Sequence, residues 1–544
     1  MSETKNIVSV AEPSGARRSP VAGKKNAMGS PLELARSLHA LGKPAEALAE
    51  LNRAMKSGGL TAQGMSLRGS ILYELEEFEE AAKTFEQILN ASASDTEAGF
   101  NLALCYEKQG RWKDSAKAFE RVVQVHPELT EAYLGLGISL LHQTRGEEAL
   151  ARFDEVLSAK PESDNFLVTA LFGKAVSLQM VGDFEQATEL YHQILSDNPE
   201  SEECLVNLIS AALARKDFDS VRDYSERLLT LRPLSEAAME GLASCAFHTG
   251  EYEAATRYCE KLLEFTPHDA VRWFNLGLAQ QKRGHLDSAA KAYAESVSIA
   301  PEATQACINL AIVQQEMGDL QLARASYERV LEITPDQLDV IFNLAVVLDR
   351  QGDPEESARL FKMLLANDPE CEDAWFRLGY LYLEKCDYPA AAEAFQSCVR
   401  MREPWPEAHL NLGLALLSME DYSHAEEAFT AVLEAAPGSS AALRGLIAVA
   451  VEREDFDRAL DLHASLIELG ERTPELFYNT GLLLQKSGNI DDAIRLYHEA
   501  LVERPNFAEA LLNLGHALNQ KGEVDEAQEY WSRAMEHKPE LATS

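Results

Sequence analysis

Asparagine recurs in this chain at one fixed phase. Asn275, Asn309 and Asn343 follow one another at intervals of 34 residues, and Asn101, Asn207, Asn411, Asn479 and Asn513 keep the same phase once a single four-residue insertion is allowed for. A carboxamide carries a donor and an acceptor together, so a row of them on one surface can pair with the peptide groups of an extended chain whatever its side chains. The residue one place earlier is mostly apolar: Phe100, Phe172, Phe274, Ile308, Phe342, Phe376, Leu410 and Tyr478. Exposed, these side chains would form apolar pockets between the amide rungs. The same residues also fit a second reading, in which both rows only pack one helix against another.

Reactive chemistry is hard to find. The chain has no HExxH, no GxSxG, no GxGxxG after a strand and no strand-rich stretch to carry such a motif. Gly23-Lys24 has the look of a phosphate loop, but Arg18 stands where its first glycine is needed and Lys25 where Ser or Thr should follow. Gly64-Met65-Ser66 falls inside a helical pattern, away from any strand-to-helix elbow. The 13 histidines are scattered, which argues against a ligand cluster. The eight cysteines, at 105, 204, 245, 259, 307, 371, 386 and 398, form no CxxC pair. They read as buried free thiols in a reducing compartment, with a Cys245–Cys259 disulfide on facing helices as the alternative. The expectation is a chain with no catalytic residue, no metal and no cofactor.

The elements that position the two rows follow from residues 270–303, AVRWFNLGLAQQKRGHLDSAAKAYAESVSIAPEA. Apolar residues keep helical spacing on both sides of Gly284, so the stretch predicts two helices joined by a tight turn. Trp273, Leu276 and Gly277 share a face of the first helix; Ala289 and Tyr293 supply the matching face of the second. Pro301 disfavours helical geometry at Ala300 and ends the hairpin. Copies of this unit start at 28, 62, 96, 130, 168, 202, 236, 270, 304, 338, 372, 406, 440, 474 and 508. Position eight is Gly or Ala in thirteen of the fifteen copies, position twenty is Ala in twelve and position thirty-two is Pro in eleven, a register too long to be chance. Residues 164–167 are an insertion that reads as a longer connection, an extended first helix or a local change of superhelical geometry. Ile209 with Val221, and Ile447, replace small residues, and Glu403 and Glu471 replace the terminal Pro, which marks these copies as weak points. Pro31 in the first copy, and Gln528 and His537 in the last, suit terminal capping repeats.

The spacing of Trp, Leu-Gly, Gly, Ala, Tyr and Pro resembles the tetratricopeptide repeat. The resemblance implies an all-α, right-handed superhelical solenoid of about fifteen hairpins, with the first helices lining a concave wall. It places the asparagines, position six of the repeat, on that wall and the position-five residues at the border of the groove. The array is similar to the repeat domain of the O-linked N-acetylglucosamine transferases, whose asparagine ladder the row resembles, without their catalytic domain. The family's carboxylate clamp is disfavoured, because position five has no Lys, position two is mostly acidic and Arg377 is the basic residue at position six.

Charge narrows the partner. The net charge is −38. Residues 1–27, which read as a disordered tail, carry Lys5, Arg17, Arg18, Lys24 and Lys25 against two acids, so the tail is +3 and residues 28–544 are −41. That field repels nucleic acid and anionic membranes and favours basic partners, although acidic solvated faces that keep the array soluble are the plainer reading. No stretch approaches 18 consecutive apolar residues and the start does not read as a signal peptide, so a cytoplasmic location is expected. The expected function is a non-catalytic scaffold that binds a protein or extended peptide, with a substrate-selecting partner of a separate glycosyltransferase and an assembly factor for a secretion or envelope complex as the alternatives.

Overall fold

The computed structural model describes residues 30–161 and 163–538; the basic tail, Met28 and Pro539 lie outside them. Among the described residues there are thirty α-helices and no strand, and no helix is long and apolar enough to cross a membrane. Consecutive helices pair into fifteen antiparallel hairpins, giving an all-α solenoid. The first helices of successive hairpins begin at Pro31, Ala62, Thr96, Thr130, Asp164, Glu202, Glu236, Ala270, Thr304, Leu338, Glu372, Pro406, Ser440, Pro474 and Ala508. The chain divides into two compact units, one ending at Ala292 and the other starting at Tyr293.

Each hairpin turns at one backbone feature. The fifteenth residue of the unit takes a positive φ in all fifteen copies, which reverses the chain after the first helix. Nine of these residues are Gly; Glu76, Thr144, Lys216, Cys386, Glu420 and Glu454 hold the same left-handed geometry at φ 56–62° without that freedom.

The hairpin core is built from a large residue against a small one. Phe85, Phe119, Phe153, Tyr191, Tyr327, Phe361, Phe395, Phe429 and Tyr497, all at position twenty-four on second helices, are wholly buried. Position eight of the first helix meets them with Gly or Ala. A Cβ added at Gly69 would sit 2.5 Å from the Phe85 ring, so the close approach admits no side chain there. The two degenerate hairpins invert the pair: bulky Ile209 shares its hairpin with Ser225 at position twenty-four, and Ile447 shares its own with His463. Ile209 is buried and Ile447 half-buried.

Polar ties add to this packing. Three tyrosine hydroxyls donate to a glutamine of the same hairpin, Tyr191 to Gln179 at 3.1 Å, Tyr327 to Gln315 at 3.2 Å and Tyr497 to Gln485 at 2.8 Å. Trp273 and Trp375 donate Nε1 to the carbonyls of Pro267 and Pro369, both at 2.9 Å, which fastens each first helix to the loop before it. Where Glu403 replaces the terminal Pro, Trp405 takes over: it is buried, stacks on Phe376 at 4.7 Å and lies under the Arg402 guanidinium at 3.8 Å. Glu471, at the other such place, pairs with Arg444 at 2.6 Å. The insertion is helical, since α9 (Asp164–Met180) has 17 residues where most first helices have 13. The extra residues lengthen the helix by one turn.

All eight cysteines are free, so Cys245 and Cys259 form no disulfide. Six are buried; Cys371 is half-buried and Cys386 exposed, which corrects the uniform buried reading for those two. Cys386 is at the surface because it occupies the turn position, which packs against nothing. Burial pushes the thiols of Cys105 and Cys398 up to about 12 and that of Cys259 to about 11, so these three are poor nucleophiles.

Candidate functional site

The position-six residue sits at the joint between two hairpins. A Cβ added at Gly135 would come within 2.4 Å of the Phe119 ring, one at Gly173 within 2.4 Å of Phe153 and one at Gly445 within 2.5 Å of Phe429. In each case the ring belongs to position twenty-four of the preceding hairpin.

That neighbour tracks how open each asparagine is. Asn101 and Asn411, which follow hairpins carrying Phe85 and Phe395, are buried. Asn207, Asn309, Asn343 and Asn513 follow tyrosines and are half-buried. Asn275 and Asn479 follow the smaller Cys259 and His463 and are exposed. The row is therefore graded.

Several amides already have partners. Asn411 Nδ2 donates to the Tyr380 hydroxyl at 3.0 Å and Asn513 Nδ2 to the Tyr478 hydroxyl at 2.8 Å, each joining two successive first helices. Asn309 Oδ1 accepts from Gln305 at 3.2 Å, and its side chain also bonds Tyr293, whose hydroxyl is pushed up by burial. Asn207, Asn275, Asn343 and Asn479 make no side-chain hydrogen bond among the described residues. Both amide groups are open to a partner in the exposed Asn275 and Asn479, and partly so in the half-buried Asn207 and Asn343.

The position-five residues are committed in part to the hairpin core. Phe100 meets Phe119 edge-on at 5.5 Å, Phe172 meets Tyr191 at 5.8 Å, Phe342 meets Phe361 at 5.6 Å, Phe376 meets Phe395 at 5.7 Å and Tyr478 meets Tyr497 at 6.0 Å. Ile308 is buried; Phe274 and Leu410 are half-buried. Phe100, Phe172, Phe342, Phe376 and Tyr478 are likewise half-buried. Two residues one helical turn further on, Tyr380 and Leu414, are more open still, at 43 and 42 %. The sequence reading passed over them, although residues i and i+4 share a helix face.

Two polar features have structural roles. Arg272, which is buried, donates to Glu236 at 2.6 Å, to Glu240 at 2.7 Å and to the Leu262 carbonyl at 3.1 Å, and also bonds Thr266. It ties α15 (Ala270–Lys282) to α13 (Glu236–His248). Glu107 is half-buried beside Ser139, whose hydroxyl donates to it at 3.4 Å, and burial raises its carboxyl to about 7. Among the described residues no group of three or more His, Cys, Asp or Glu is arranged to hold a metal.

A tetratricopeptide repeat model matches residues 32–96, 100–164, 219–270, 342–407, 410–472 and 478–539, well over half of the chain. The chain belongs to the tetratricopeptide repeat family. Further models of the same repeat match residues 169–201, 270–302 and 304–370. Among solved structures, the tetratricopeptide repeat protein YrrB, described as having an unusual peptide-binding site, is 18 % identical over 34 % of this chain and 96 % of its own, with a TM-score of 0.32. The Cut9–Hcn1 hetero-tetramer of the APC/C is 15 % identical over 86 % of this chain and 98 % of its own, with a TM-score of 0.31. A search of curated protein sequences gives no match. In the tetratricopeptide frame the graded amides and the half-buried rings both lie on the first helices.

Proposed function

We propose that this chain is a protein-interaction scaffold, without catalysis of its own, that holds an extended polypeptide against the wall of its first helices. The observation that carries the reading is the set of amides left unpaired at the repeat joints. In the C-terminal unit Asn343 and Asn479 offer a donor and an acceptor each beside the half-open rings of Phe342 and Tyr478. An extended chain presents alternating N–H and C=O groups that such amides match, and its apolar side chains fit the gaps between rungs. The buried, unlinked thiols favour a reducing compartment, and a cytoplasmic location belongs to the same proposal.

The test is to identify bound proteins by pull-down and mass spectrometry, then measure one of them against the Asn343→Ala/Asn479→Ala variant. Each lost hydrogen bond is worth about 0.5 to 1.5 kcal/mol, so affinity should fall at least about fivefold. Ala is the better helix former, so helix content should hold. Unchanged affinity in the folded variant would show that the amides serve packing alone.

A further inference from the structure

The wall between α19 (Leu338–Arg350) and α25 (Ser440–Glu452) carries charges that its own fold does not use. At its centre α21 (Glu372–Glu384) and α23 (Pro406–Ser418) present Phe376, Tyr380, Leu410 and Leu414 as one apolar strip. Phe376 and Tyr380 meet edge-on at 5.1 Å, and Asn411 ties α23 to the Tyr380 hydroxyl. The strip has acids at both ends. Asp373 and Glu407 stand in the first turns of their helices, while Glu384 and Glu452 are the last residues of theirs. All four are exposed, and none makes a salt bridge among the described residues.

Local structure explains only half of these acids. A carboxylate in a first turn complements the positive end of the helix dipole, which accounts for Asp373 and Glu407. In a last turn the sign is wrong for Glu384 and Glu452, and the bases that follow them, Lys385 and Arg453, pair with Glu355 and Glu426 instead. Arg350 and Arg377 lie on the same wall without a salt bridge among the described residues, and Arg444 is taken by Glu471, so the four acids outnumber the two free bases. Asp373 and Glu384 are eleven residues apart on one helix. That is about 16 Å, which leaves each end about 8 Å from the middle of the strip and within reach of a Lys or Arg side chain.

We infer that this strip seats a bulky apolar side chain of an extended polypeptide whose Lys or Arg residues flank it and pair with the acids at its two ends. The inference rests on the polypeptide-binding reading above and adds the ligand's chemistry. First helices of neighbouring repeats lie about 10 Å apart and an extended chain rises about 3.3 Å per residue, so equivalent ligand side chains recur about every three residues. The recognised pattern is an apolar residue with a basic residue within about three places on either side.

The experiment is selection of a random linear peptide display library on the full chain, followed by titration of an enriched synthetic peptide. The expected consensus is apolar with flanking Lys or Arg. Leu414→Glu, at an exposed site that tolerates it, should weaken the peptide at least tenfold, and Glu384→Gln/Glu452→Gln should weaken it about two- to fivefold per charge and flatten its salt dependence. An enriched peptide that is acidic or neutral, or that binds these variants as well as the parent, overturns the ligand chemistry while leaving polypeptide binding in place. A library that yields no binding peptide overturns both.

Discussion

Phe153 is gripped from two sides, and a single methyl group tests whether that grip sets the repeat joint. A Cβ at Gly137, in its own hairpin, would lie 2.9 Å from the ring, and one at Gly173, in the next hairpin, 2.4 Å from it. Ordinary carbon contacts are about 3.5 to 4.0 Å, so Gly173→Ala forces ring and helix apart by about 1 Å. The ring is wholly buried and cannot retreat, because Gly137 closes the other side. Overpacking of this kind costs about 1 to 3 kcal/mol and here belongs at the upper end. The helix gains about 1 kcal/mol from Ala over Gly, so the net loss is about 2 kcal/mol. A repeat array does not unfold all at once, so the readout is amide exchange in α8 (Gly146–Ser158), α9 and α10 (Phe184–Asp197), which should quicken by roughly thirtyfold. In a Phe153→Leu background the same methyl group should cost much less, since the two changes share one space. Gly64→Ala, where the nearest atom is 3.2 Å away at the flexible end of Leu60, serves as the near-neutral control. Equal cost in both backgrounds, or no cost at all, would refute the argument.

The turn position offers a gain. Glu420→Gly should raise stability by about 0.5 to 1 kcal/mol, and Thr144→Gly by more because Thr is β-branched, as melting temperatures would show; a loss at both would mean that the left-handed turn carries no strain. Glu107 has a folded pKa raised to about 7 from 4.5, so its contribution is full below pH 4.5 and is lost as pH rises through 7. Glu107→Gln should therefore leave stability little changed at pH 4 and raise it at pH 8, and a variant that tracks the parent at both pH values would contradict this. His463 is buried, with Nδ1 2.8 Å from Thr480 Oγ1, and burial lowers its pKa from 6.5 to about 4. Stability from this site is present above pH 6.5 and lost as pH falls through 4, so amide exchange around α26 (Phe456–Glu468) should accelerate with acid before that around Phe429; simultaneous loss would rule out the histidine as the cause.

The hairpins were legible because their determinants recur. Gly or Ala at position eight, a left-handed residue at position fifteen and a ring at position twenty-four each leave a mark every 34 residues. What stayed hidden lies between repeats. Periodicity says that Asn101 and Asn275 are equivalent, yet one is buried behind Phe85 and the other is open beside Cys259. Ile209 and Ile447 look like damage when read alone, yet each is accompanied sixteen residues later by a residue smaller than the usual ring, Ser225 and His463. Cys386 looked like its buried counterparts because residue type outweighed its turn position. The helical fate of residues 164–167 depended on Phe166 packing against the core, which composition alone does not decide.

The joint between repeats also explains why the asparagine row is uneven. Position six has two tasks, to fill the space beside the preceding ring and to present polar groups outward, and one side chain seldom serves both. Gly135, Gly173 and Gly445 resolve the conflict for packing, with rings so close that no side chain fits. Asn275 and Asn479 resolve it for presentation, and their neighbours Cys259 and His463 are the smaller residues that make this possible. Asn513 lies between: half-buried, it spends one N–H on Tyr478 of the previous first helix, whereas Asn411, bonded in the same way to Tyr380, is buried. Under the proposed polypeptide-binding function, ligand contacts would be concentrated where the second-helix residue is small and the amide open. A swap of Cys259 to Phe, which touches no proposed ligand contact, should cover the Asn275 amide and lower the affinity of a ligand held there while leaving the hairpin helical. Affinity unchanged by that swap, with Asn275→Ala still harmful, would break the proposed link between repeat packing and recognition.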